Sequence, residues 1–142
     1  MLDLCCCVDF FAESLAIALR ECPQAQFYEA AMRGDLSFWG QFDAAICIAG
    51  FVHLGDAELP GVFRSLAELL PSGAPLLVTV KDGEGYAPKM SLTTIDGQAY
   101  DRRFCLHTAD ALCAAAAPGF RYAQELFSGP QDVWRNHLFR RR

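Results

Sequence analysis

Apolar runs alternate along the chain with stretches of helical periodicity, and that alternation sets the expected order of elements. Leu2 to Cys7 is a short apolar run and predicts a buried strand at the first residues. Phe11, Leu15, Ala18, Leu19 and Cys22 recur at helical spacing, predicting a helix over 10–22 that stops before Pro23. Gln26 to Ala30 reads as a second strand. Ala44 to Ala49 is a continuous apolar run of the kind parallel strands show. Leu59, Val62, Phe63, Leu66, Leu69 and Leu70 form one stripe of a helix over 57–70, with Pro60 tolerated in its first turn. Pro71-Ser72-Gly73 ends it, and Pro75 to Val80 forms the next strand.

Residues 81–103 are rich in Gly, Asp and Lys and read as a long loop. Thr108 is a suitable N-cap for a helix of Ala109 to Ala116, closed by Pro118-Gly119. The runs 120–127 and 133–140, joined by Ser128-Gly129-Pro130-Gln131-Asp132, predict an antiparallel pair. The order implies an α/β fold: a Rossmann-like, doubly wound, mostly parallel sheet with a C-terminal antiparallel hairpin. With 142 residues, no repeat and no linker, it reads as one domain spanning 1–142.

Composition narrows the partners. A hydrophobic share of 53 % excludes a disordered tail, and a net charge of −5 argues against general nucleic-acid binding. The closing Arg140-Arg141-Arg142 reads as a solvated terminus. The apolar N-terminus carries Asp3 and Asp9 with no basic segment ahead of it, unlike a secretory signal, and no stretch is long and uncharged enough to span a bilayer. A cytoplasmic protein whose seven cysteines are reduced is therefore expected. Cys5-Cys6-Cys7 cannot all face one ion, because neighbouring strand residues point to opposite faces. They read as buried, unreactive thiols, and no metal site is expected.

Several local patterns, in order, resemble the class I S-adenosylmethionine-dependent methyltransferases. Met1-Leu2-Asp3-Leu4 followed by Cys5-Cys6-Cys7-Val8-Asp9 is similar to that family's V-L-D-L strand and G-C-G-x-G loop. Gln41-Phe42-Asp43 resembles the entry to its fourth strand, and Gly50-Phe51-Val52-His53-Leu54 the segment behind it. Leu69-Leu70-Pro71-Ser72-Gly73 resembles its L-K-P-G-G turn, Gly119-Phe120 its A-G-F, and Val133-Trp134-Arg135-Asn136 its last strand. The resemblance implies an S-adenosylmethionine site at Asp3, Cys5, Cys7, Asp9, Glu29, Gly50 and Phe51. Asp3 would meet the amino group, or else end its strand on nearby backbone. Glu29, rather than Ala31, would hold the ribose.

The sequence departs from the family twice. Cys5, Cys7 and Asp9 stand at the glycine positions, where a left-handed non-glycine residue costs about 1–2 kcal/mol and a side chain intrudes on the ligand. The carboxylate of Asp9 would repel that of the cofactor, so binding is expected to be weak, absent or repositioned. From Phe10 to Phe42 there are 33 residues, whereas two αβ units need roughly 40. One αβ unit is therefore expected to be missing, exposing a sheet edge that a loop or a homodimer partner would cover.

His53 is the catalytic candidate, as a base or a substrate-orienting group, against capping or lining roles; His107 and His137 read as structural. Lys81-Asp82-Gly83-Glu84-Gly85 reads as a solvated turn or, less simply, a lid. The functional alternatives are a small-molecule methyltransferase and a non-catalytic interaction or regulatory module, possession of the fold alone not deciding between them. Binding of another nucleotide has little support, since no G-x-G-x-x-G follows the first strand.

Overall fold

The computed structural model describes residues 5–87, 90–93, 99–126 and 134–142. Cα packing divides the chain into two compact units, Met1–Leu36 and Ser37–Arg142.

The first unit is a single β-α-β turn. Strand β1 (Cys6–Asp9) leads to helix α1 (Ala12–Glu21) and then to strand β2 (Gln26–Glu29). β1 and β2 pair in parallel, with Cys6 opposite Gln26 and Asp9 opposite Glu29. Parallel neighbours need a crossover, and α1 supplies it. The helix begins without a side-chain cap on Phe11, and Pro23 cannot continue it. Its last turn closes with the Cys22 amide donating to the Ala18 carbonyl at 2.8 Å. Within the described residues the first strand overlaps the expected one at Cys6 and Cys7 and runs on to Asp9, since no glycine turns the chain there. Residues 2–4 lie outside the described residues.

The second unit opens with a 3-10 turn at Ser37–Trp39, followed by β3 (Ala45–Ile48), a second 3-10 turn (Phe51–His53), α2 (Leu59–Glu68) and β4 (Pro75–Lys81). Then come β5 (Met90–Thr93), β6 (Ala99–Arg102), α3 (Ala109–Ala116), β7 (Phe120–Leu126) and β8 (Trp134–Arg141). The main sheet has the order β3-β4-β8-β7, with β3 and β4 parallel and the two remaining pairs antiparallel. Among the described residues the strands pair as three hydrogen-bonded sheets, β1-β2, this one and a β5-β6 hairpin, within a mixed α/β fold. That hairpin lies within the expected loop 81–103; the glycine and charge content of the stretch hides two four-residue strands that pair with each other. Between β1 and β3 stands one helix and one strand, which agrees with a missing αβ unit.

The core of the second unit is built on one face of the sheet. Leu76, Val78 and Val80 of β4 and Phe139 of β8 are buried beneath Leu59, Val62, Phe63 and Leu66 of α2. Phe63 packs edge-on to Phe51 and Phe139 at centroid distances of 5.2 and 5.4 Å. A Cβ on Gly119 would come within 3.0 Å of the Ala67 Cβ, so the turn into β7 approaches α2 as only glycine allows. Thr108 caps α3 as expected, its hydroxyl accepting from the Ala111 amide at 3.2 Å.

The closing arginines are not simply solvated. Arg141 donates to the carbonyls of Ala67 (2.8 Å) and Gly119 (3.0 Å), and Arg142 to those of Ala117 (2.8 Å) and Phe120 (3.1 Å). Cations thus meet the Ala67 and Ala117 carbonyls where α2 and α3 end, which favours both helices. Among the described residues no helix is long and apolar enough to cross a membrane.

Candidate functional site

In the first unit, β1 and β2 end side by side on Asp9 and Glu29. The turn into α1 is Asp9-Phe10-Phe11, and Asp9 Oδ1 accepts from the Phe11 amide at 2.8 Å. Asp9 therefore organises the local turn. The Phe10 and Phe11 rings sit 4.1 Å apart, 52 % and 50 % exposed. No residue from Cys5 to Ala12 adopts a positive φ, so the left-handed strain expected at the glycine positions is not there. Cys5 and Cys7 belong to the strand and its entry, ahead of the turn, and Asp3 lies outside the described residues.

The turn fits S-adenosylmethionine only in part. Glu29, exposed at the carboxyl end of β2, suits ribose hydroxyls. The turn itself does not suit the methionine end: the Phe11 amide is already bonded to Asp9, and two aromatic side chains stand where close backbone approach is needed. Glu29 fits and the glycine cradle is not reproduced, so no transfer step follows from this turn.

The cysteines differ from expectation. Cys5 is exposed and Cys6 and Cys7 are half-buried. The sulfurs of Cys5 and Cys7 lie 3.7 Å apart, while Cys6 Sγ lies 3.6 Å from the Gln26 side-chain oxygen. Burial raises the Cys7 pKa first, with the Cys5 thiol adding to it through hydrogen bonding and charge. Burial likewise raises that of Cys6.

In the second unit the parallel strands β3 and β4 end at one edge of the sheet, the edge beyond which open α/β sheets place ligands. Ala49, directly after β3, has φ 54°, the only positive φ at a non-glycine residue among the described residues. Gly50 follows in helical conformation and its carbonyl accepts from the His53 amide at 3.1 Å. The Phe51 ring is fully buried against Phe63, which leaves only backbone for the cofactor contact expected of it. His53 is exposed, its ring 5.7 Å from that of Phe104.

The turn carrying these residues is held from behind. His107, buried, donates from Nε2 to the Phe51 carbonyl at 3.0 Å, and its Nδ1 lies 3.1 Å from Asp56 Oδ1. The Cys105 amide donates to the Val52 carbonyl (2.8 Å) and the His107 amide to the Lys81 carbonyl (2.9 Å). The structural role expected of His107 is thus specific: it anchors the segment bearing His53.

Lys81, at the end of β4, was legible only as part of a solvated turn. Its ammonium lies 5.1 Å from the centroid of Phe104 and 5.3 Å from that of Trp134, its register partner on β8. The cation and its two rings come from separate stretches of sequence: the sheet register sets Trp134 beside Lys81, and the segment carrying Phe104 is tied there by the His107 amide on the Lys81 carbonyl. His137 is buried; its Nδ1 lies 3.2 Å from the Tyr122 hydroxyl, and its Nε2 has no hydrogen-bond partner. Desolvation holds its pKa below the ordinary value, which suits a structural imidazole.

No protein-family profile and no curated protein sequence matches the chain. Solved structures do. The PH0226 protein from Pyrococcus horikoshii is similar over 98 % of this chain and 74 % of its own, at 16 % identity and a TM-score of 0.75. An S-adenosylmethionine-dependent methyltransferase from Methanosarcina mazei is similar over 96 % of this chain and 81 % of its own, at 11 % identity and a TM-score of 0.73. CalS10, an amino pentose methyltransferase from Micromonospora echinaspora solved with S-adenosylmethionine, is similar over 96 % and 73 %, at 17 % identity and a TM-score of 0.70. With the element order and the missing αβ unit, these likenesses give the chain the class I S-adenosylmethionine-dependent methyltransferase fold in a shortened form.

Proposed function

We propose that the chain is a methyltransferase-like protein, related to transferases of small molecules, with a weakened site for S-adenosylmethionine. The observation that supports this best is the likeness of nearly the whole chain to a small-molecule methyltransferase solved with that cofactor. Bound S-adenosylmethionine supplies an electrophilic methyl group. On this reading Glu29 accepts hydrogen bonds from the ribose hydroxyls. His53, an exposed imidazole, would accept an acceptor's proton, and Lys81 would hold an anionic group on it. The weakening follows from the Asp9-Phe10-Phe11 turn, whose amide is occupied and whose side chains restrict approach.

Calorimetric titration of the full chain with S-adenosylhomocysteine tests this. Weak binding, in the upper micromolar to millimolar range, that Glu29→Ala reduces further is expected. The absence of both heat and thermal stabilisation at millimolar ligand would overturn the reading. The same reading has a second copy cover the strand edge left by the missing unit. Light scattering across a concentration series should then show a dimer, and a monomer throughout would remove that part.

A further inference from the structure

We propose that Cys5 and Cys7 form a dithiol site for a soft, thiophilic ion of low coordination number, monovalent copper. The site is independent of the cofactor reading, because both thiols lie ahead of the turn into α1. Strand alternation places Cys5 and Cys7 on one side of the extended chain and Cys6 on the other. Their sulfurs already stand 3.7 Å apart. Two metal–sulfur bonds of about 2.3 Å span about 3.8 Å at a tetrahedral angle and about 4.6 Å when collinear, so chelation needs only small side-chain rotations.

Oxidation is a poor alternative for this pair. Same-side residues of a strand have Cα atoms about 6.6 Å apart, at the upper end of what a disulfide bridges. The number of ligands selects the ion. Among the described residues no group of three His, Cys, Asp or Glu side chains converges as a metal site. Structural zinc needs four ligands, whereas thiolates favour monovalent copper without that requirement. Cys5 is exposed, which gives the ion a route in. Metal binds thiolate, so loading exchanges the two thiol protons for metal. Two S–H bonds break, two S–Cu bonds form, two protons leave to solvent, and no electron moves.

The test is anaerobic titration of the reduced full-length chain with the acetonitrile complex of monovalent copper, in competition with bicinchoninate. One ion per chain is expected, with ultraviolet charge-transfer absorbance from thiolate to copper. Cys5→Ser and Cys7→Ser should each weaken binding by at least about tenfold, the scale on which even outer-shell changes act. Cys6→Ser should match the parent chain, and circular dichroism will show that all three variants keep their fold. Equal affinity in the parent and in Cys5→Ser and Cys7→Ser would overturn the proposal, as would an equal loss in Cys6→Ser or zinc binding more tightly than copper. No S-adenosyl ligand is present, so failure here leaves the cofactor titration untouched, and the converse holds.

Discussion

Ala49 and Gly73 pose the same backbone question with opposite answers. Ala49 holds φ 54° between β3 and the 3-10 turn, and Gly73 holds φ 85° between α2 and β4. A left-handed residue with a Cβ costs about 1–2 kcal/mol, and a glycine costs about 0.4–1 kcal/mol in additional unfolded-chain entropy. Ala49→Gly should therefore stabilise the second unit by about 0.5–1 kcal/mol net. Gly73→Ala should destabilise it by at least that much, and a Cβ there meets nothing within 4 Å, so the effect is conformational and not steric. Both tryptophans of the chain, Trp39 and Trp134, lie in the second unit, so fluorescence-monitored urea unfolding reports it alone. With a urea slope near 1.5 kcal/mol per molar, each substitution should move the midpoint by roughly half a molar, in opposite directions and with unchanged slope. An Ala49→Gly midpoint at or below that of the parent would refute the argument that strain is stored beside His53.

Three further outcomes follow from the packing. Arg141→Met should destabilise the second unit by about 1.5–3 kcal/mol in the same assay, because it strips charged donors from the Ala67 and Gly119 carbonyls. His137 has its pKa depressed by desolvation, so the stability it permits is full above about pH 6.5 and falls as pH drops below that. His137→Leu should flatten this acid limb of the stability–pH curve. Cys47 shares a sheet face with its β4 neighbour Val78, and burial pushes its thiol up to about 12. The unfolded thiol ionises first, so stability should decline from about pH 9 upward, by at most about 1.4 kcal/mol per pH unit, and Cys47→Ala should remove the decline.

Much of the fold was legible because its strongest signals are local. The runs at 44–49 and 75–80 are apolar on consecutive positions, and both form strands, although Ile46 and Ile48 leave one face of β3 open at 65 % and 74 % exposure. Thr108 caps α3 because its hydroxyl competes locally for the Ala111 amide, a contact three residues long. The far end of β1 was set too early because the apolar run stops at Cys7, whereas the extended backbone continues to Asp9, whose side chain then organises the turn. The site in the second unit was half legible. His53 stands in its own segment, but Trp134 meets Lys81 only through the pairing of β4 with β8, 53 positions apart, and Phe104 only through the segment whose His107 amide bonds the Lys81 carbonyl. The arginine contacts at the helix ends were invisible for the same reason: a charge at 141 has no sequence relation to a carbonyl at 67.

β8 is the last strand in sequence but an inner strand in space, lying between β4 and β7. Until it inserts, β4 has only β3 to pair with and β7 has no partner in that sheet. The second unit should thus fold late and in one step, since closing so long a loop is entropically expensive before any pairing offsets it. Any shortened version ending before Trp134 leaves Leu76, Val78 and Phe120 without the strand that lies beside them, a recipe for aggregation during expression rather than a smaller working domain.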